Sequence, residues 1–169
     1  MKKFIVICLL CLCVGTAYFF KQRFSKPTLS FYQTEDFNKN FGSEISFASL
    51  MLALKNEGLE NGEDFFFSFS HSYDDPAAAL SAGESAVKEA DIVVAMGDLA
   101  ADVSSELLES SQKTKVFIIA SKLPKFFSPQ SMTGVVIENK IPADEMNKAV
   151  AKKLADLIRT KGIKEIEVR

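Results

Sequence analysis

Two short apolar runs constrain this chain more than anything else in it: Asp91–Met96 (DIVVAM) and Lys115–Ala120 (KVFIIA). Both are compact and rich in β-branched residues, and neither has a polar face. Such strands must be covered on both sides, the environment of a parallel sheet between helical layers. The segments around them alternate in the same sense. Thr28–Gln33 (TLSFYQ) reads as a strand, and Phe65–His71 (FFFSFSH) puts Phe65, Phe67 and Phe69 on one face and Phe66, Ser68 and Ser70 on the other. Gly134–Ile137 is a short strand, and Lys164–Val168 a final one.

Helical spacing fills the intervals. Glu44–Glu57 carries Ile45, Ala48, Met51 and Leu52 at helical intervals, and Gly58 follows as its C′ residue. Asp74-Asp75-Pro76 is a start signal, a capping carboxylate before proline, for a helix reaching about Glu89. Gly97-Asp98 turns the chain into a helix with Leu99, Val103 and Leu107. Pro142–Thr160 is the longest helix, with Met146, Val150, Leu154, Leu157 and Ile158 on one side and Lys148, Lys152, Asp156 and Arg159 on the other. The alternation implies right-handed βαβ crossovers: an α/β fold of three layers, a mostly parallel twisted sheet with helices on both faces. Residues 27–169 suffice for one such domain with a real core.

Residues 1–26 are different. Lys2 and Lys3 precede an uncharged run from Phe4 to Phe20, closed by Lys21 and Arg23. This is a leader for export, read either as a membrane anchor or as a signal peptide cut after Ala17. The working part then lies outside the cytoplasmic membrane, tethered to it or released as a periplasmic or secreted protein. Cys8, Cys11 and Cys13 all fall in the leader, which leaves no disulfide, thiolate nucleophile or cysteine metal site beyond it. Four of the 20 basic residues precede Phe24 and none of the 22 acidic ones does, so the chain from Phe24 onward has six more acids than bases. That balance argues against nucleic acid as a partner.

In an open parallel sheet, ligands bind beyond the carboxyl ends of the strands, at the switch in strand order. Three segments are expected there: a long loop Gln33–Glu44, the turn Met96–Ala100, and Ser121–Gln130 (SKLPKFFSPQ). They supply Gln33, Thr34, Glu35, Gly97, Asp98, Leu99 and Ser121 as candidate ligand-binding residues. Asp98 can select a cationic group, with neutral hydrogen bonds from Thr34 and Ser121, or serve only as a helix cap. Gly97 either permits a tight turn or admits a ligand. Phe126 and Phe127 either stack on a flat ligand or pack on the domain's own edge. Catalytic signatures are missing from the sequence. His71 is the single histidine, there is no G-x-S-x-G, H-E-x-x-H, P-loop or G-x-G-x-x-G, and Asp74 and Asp75 are explained by capping. No enzyme, metal or cofactor is expected.

The order of the segments resembles the N-terminal lobe of ABC transporter substrate-binding proteins, in the branch with tryptophan- and tyrosine-type binding proteins. The resemblance rests on Leu54–Gly58 with Gly62, Asp75-Pro76, Asp91–Gly97 and Ala100-Ala101, and runs from about Thr28 to the C-terminus. Two positions depart from it. Asp98 stands where the family has a small hydroxyl residue, and Ser121-Lys122-Leu123-Pro124 replaces a Ser-Asp-Pro turn. The resemblance implies an extracytoplasmic module for a small organic solute, such as an amino acid or amine, with an ABC permease as a partner and the second lobe absent. The competing reading is a membrane-tethered protein-interaction domain, whose partner is a permease or a separately encoded second lobe.

Overall fold

The computed structural model describes residues 26–41, 45–72, 75–108, 114–138, 142–160 and 167–168. Residues 1–25 of the leader, Asp74 of the expected helix start and the 164–166 part of the last expected strand lie outside them. Among the described residues no helix is long and apolar enough to cross a membrane.

Six parallel strands form one sheet: β1 (Thr28–Thr34), β2 (Phe66–Ser72), β3 (Ile92–Met96), β4 (Lys115–Ala120), β5 (Met132–Val136) and β6 (Glu167–Val168). Their order is β2-β1-β3-β4-β5-β6, so the chain leaves β1 first to one side and then to the other. The switch point therefore lies between β1 and β3. Five described helices complete the fold: α1 (Glu35–Phe41), α2 (Phe47–Asn56), α3 (Pro76–Glu89), α4 (Asp98–Leu108) and α5 (Ala143–Thr160).

The period of two in each strand divides the interior into two cores. Phe31, Ile92, Val94, Met96, Phe117 and Ile119 face α2 and α5 in a core of large side chains. Tyr32, Val93, Ala95, Val116, Ile118 and Ala120 face α3 and α4. That second core is alanine-rich, with Ala79, Ala86, Ala100 and Ala101 on the helices, so these helices sit close to the sheet and to each other. Tyr32 is its largest member. Its phenol donates to the Ala79 carbonyl at 2.7 Å. Burial raises the phenol's pKa, the Ser72 hydroxyl lowers it and the charge on Asp36 raises it further.

The helix starts follow their sequence signals. Asp75 accepts from the Ala77 and Ala78 amides ahead of Pro76, and Ser46 with Ser49 forms a capping box on α2. Gly58 takes φ +77° just beyond α2. One expectation fails. The segment after β1 is not a long loop, because α1 occupies most of it. Glu35 and Asp36 stand at its positive end and Lys39 in its last turn, while Phe37 and Phe41 bury one face with ring centroids 5.0 Å apart. Two aromatics four residues apart in a polar run are a thin periodic signal, and packing against the larger core outweighs it.

Candidate functional site

Gly97 follows β3 and accepts the first backbone bond of α4, from the Ala101 amide, so the helix begins on a residue with no capping side chain. Its orphan amides are satisfied from β1 and α1. The Asp36 carboxylate accepts from the Asp98 amide at 2.6 Å and the Leu99 amide at 3.2 Å. The Thr34 hydroxyl accepts from the Ala100 amide at 3.3 Å and donates to Asp36 Oδ1. A carboxylate thus fills the end of α4 that attracts negative charge. Asp98 is not the cap, as the sequence allowed it to be. Asp36 is.

Gly97 is what lets them approach. It adopts φ +112°, and a Cβ there would lie 2.6 Å from Thr34 Oγ1 and 2.7 Å from Asp36 Oδ1. Of the two readings of this glycine the tight turn holds, and the groups that approach it closely are Thr34 and Asp36 of the protein itself.

Asp98 is turned toward the next loop. Its Oδ1 accepts from the Ser121 amide at 2.7 Å and its Oδ2 from the Ser121 hydroxyl at 2.6 Å. Asp98 is partly exposed and makes no ion pair among the described residues. Two accepted hydrogen bonds leave part of a carboxylate's acceptor capacity open. The structure therefore gathers Thr34, Gly97, Asp98 and Ser121 at the carboxyl edge of β1, β3 and β4, where the sequence placed them.

The other three candidates stand around this group. Leu99 contributes its amide to the Asp36 cap. Gln33 is buried and donates to the Asn38 side chain at 2.8 Å, which ties β1 to α1. Glu35 sits at a loose 3.9 Å from Lys39 on the exposed side of α1. Asp36 was missed by sequence reasoning. The signal that could have found it is the bare N-terminus of α4: a helix starting on glycine needs its cap from elsewhere.

The segment Ser121–Ser131 leaves this edge at once. It runs back along α4 as a strap, with Ser121 held by Asp98 and the Lys125 amide held by Asp102 at 2.8 Å, one helical turn further on. Phe126 and Phe127 end beside Ser105 and Leu108 over a cleft of about 380 Å³, near the amino end of β5. Expected at the carboxyl ends of the strands, these two rings lie toward the opposite edge of the sheet, because the anchors on α4 pull the strap down the helix. No group of His, Cys, Asp or Glu among the described residues has the arrangement of a metal site.

No known family model matches the chain, and no curated protein of similar sequence is found. Solved structures do resemble it. A fragment from Peptoclostridium difficile 630 named "putative lipoprotein" superimposes with TM-score 0.57 at 21% identity, over 80% of this chain and 98% of that one. A conserved domain protein from Vibrio cholerae O1 biovar El Tor gives 0.50 at 15% identity, over 84% of this chain and 56% of its own. A substrate-binding protein with adhesive properties from Clostridium difficile, in its ligand-free open form, gives 0.50 at 12% identity, over 85% and 57%. The chain thus spans a little over half the length of the last two. At these identities the likeness is one of fold alone.

Proposed function

We propose that this chain is an extracytoplasmic binding module for a small solute carrying an ammonium group, corresponding to one lobe of a substrate-binding protein of the ABC transporter type. It acts by binding rather than catalysis. The observation that carries the reading is Asp98, a partly exposed carboxylate that makes no ion pair among the described residues, at the strand switch point where open α/β sheets take ligands. A carboxylate withdrawn from water by a ligand needs a cationic partner, so an amine or amino acid fits and a phosphate does not. The substrate-binding neighbour supports a small-ligand role, and the lipoprotein-named fragment supports a place at the outer face of a membrane. The uncharged run Phe4–Phe20 between Lys3 and Lys21 supplies the tether.

One open lobe makes fewer contacts than a closed pair, so binding in the micromolar-to-millimolar range is expected, about 4–8 kcal/mol. A thermal-shift screen of amino acids and simple amines against wild type and Asp98→Asn tests this. Wild type should be stabilised by at least one amine, and the variant should lose that shift while keeping its fold. No shift at millimolar concentration removes the solute-binding reading. The protein-interaction reading, with a permease or second lobe as partner, would then stand first.

A further inference from the structure

The strap carries a feature that solute binding does not use. Leu123 is 50% exposed, Phe126 53% and Phe127 37%, three large apolar residues within five positions. Lys122 and Lys125 alternate with them, are exposed, and make no ion pair among the described residues. Phe126 and Phe127 lie over the cleft they share with Ser105 and Leu108, so their rings are not covered by the domain's own core. Two unpaired ammonium groups beside uncovered rings, on a body with an excess of acids, form a local patch of opposite character to the rest of the molecule.

Its position is set by the strand register. Leu29 pairs with Ile92, Ile92 with Lys115, and Val116 with Met132, so Ser131 stands level with Leu29 across the sheet. The amino edge that receives the foot of the strap is therefore the edge at which residues 1–26 join β1. The lateral offset is three strand spacings, about 15 Å. A body tethered through that segment presents its amino edge to the bilayer, and the rings lie toward that edge.

We propose that the lower part of the strap is a membrane-contact surface: Phe126 and Phe127 enter the interfacial layer of an anionic phospholipid bilayer while Lys125 meets its headgroups. Aromatic side chains beside lysine suit that layer, where apolar area and attraction to anionic lipid add. The patch can be weak by itself, because a tether makes its contact intramolecular. This rests on the membrane-tether part of the reading above and not on the solute.

The chain has no tryptophan, so Phe126→Trp places a single reporter on the strap. Leu52→Trp places one at an exposed position on α2, across the sheet. Both full-length variants are reconstituted into vesicles of phosphatidylcholine alone or mixed with phosphatidylglycerol, with brominated acyl chains as quencher, and each sample is first floated on a density gradient. The expected result is flotation of both, with several-fold stronger quenching and a blue-shifted emission for Trp at 126, in the anionic vesicles above all. Adding Lys125→Glu should reduce that quenching without changing flotation. A chain that does not float overturns the tether and this proposal together. A chain that floats while position 126 is quenched no more than position 52 overturns the proposal and leaves the tether standing. A blue shift without lipid quenching means that another protein surface covers the rings, which also overturns it.

Discussion

The two ends of helix α4 treat their neighbours in opposite ways. At its start, at the carboxyl edge of the sheet, every amide of the first turn has a partner from the protein itself, through Asp36 and Thr34, and Asp98 holds Ser121 by both its amide and its hydroxyl. At its end, near the amino edge, Phe126 and Phe127 lie over a cleft with much of their surface in water. Polar groups near an interior must be paired, because an unpaired one costs about 1–3 kcal/mol. Exposed apolar groups carry no such steric or hydrogen-bonding demand, and persist without weakening the fold. The first region is therefore under structural constraint and the second is available for contact. In the first region Asp98, partly exposed, keeps acceptor capacity for something outside the chain.

Substitutions should separate the two regions by the size of their effect. The largest belongs to Gly97→Ala. It puts a Cβ at φ +112° against Thr34 Oγ1 and the Asp36 carboxylate, so backbone strain and the loss of the cap add. A cost of about 3 kcal/mol is expected, combining roughly 1–3 for the strained backbone with about 1 for the cap. Urea unfolding followed by circular dichroism reads it directly. A variant as stable as wild type would mean that the approach of Asp36 is not needed. Asp36→Ala is next, at about 1–2 kcal/mol, since it removes the acceptor of two helix amides and leaves space rather than a clash. Asp36→Asn should fall between that variant and wild type in the same titration. The smallest effect is that of Phe126→Ser, within about 0.5 kcal/mol of wild type, as for other surface positions. A loss of 2 kcal/mol or more at Phe126 would show the ring to be part of the core and erase the contrast.

The fold was far more legible in the sequence than the site. The runs DIVVAM and KVFIIA became β3 and β4 because strands covered on both faces have no polar side to hide their type. Asp75-Pro76 and Gly58 marked helix ends because capping is local, settled within three or four residues. Thr34, Gly97, Asp98 and Ser121 could be placed at one edge because parallel topology brings strand ends together. The cap of α4 could not, since Asp36 meets Asp98 across 62 positions and no short pattern records such a pair. The path of the strap was hidden for the same reason: it depends on Asp98 and Asp102 lying one turn apart on a helix whose orientation tertiary packing sets.

That distance in the chain also bears on how the protein comes together and comes apart. A helix capped by its own neighbouring residue can fray and reform its first turn without disturbing anything else. The first turn of α4 cannot, because its amides are held by a carboxylate and a hydroxyl that reach it only after β1 has paired with β3. Closing so long a loop is entropically costly, and the reward comes late in assembly. The amides of Asp98, Leu99 and Ala100 should therefore exchange their hydrogens with solvent as slowly as those of the central strands. They report the opening of the whole cooperative unit, although they belong to a helix terminus, where exchange by local fraying is the rule.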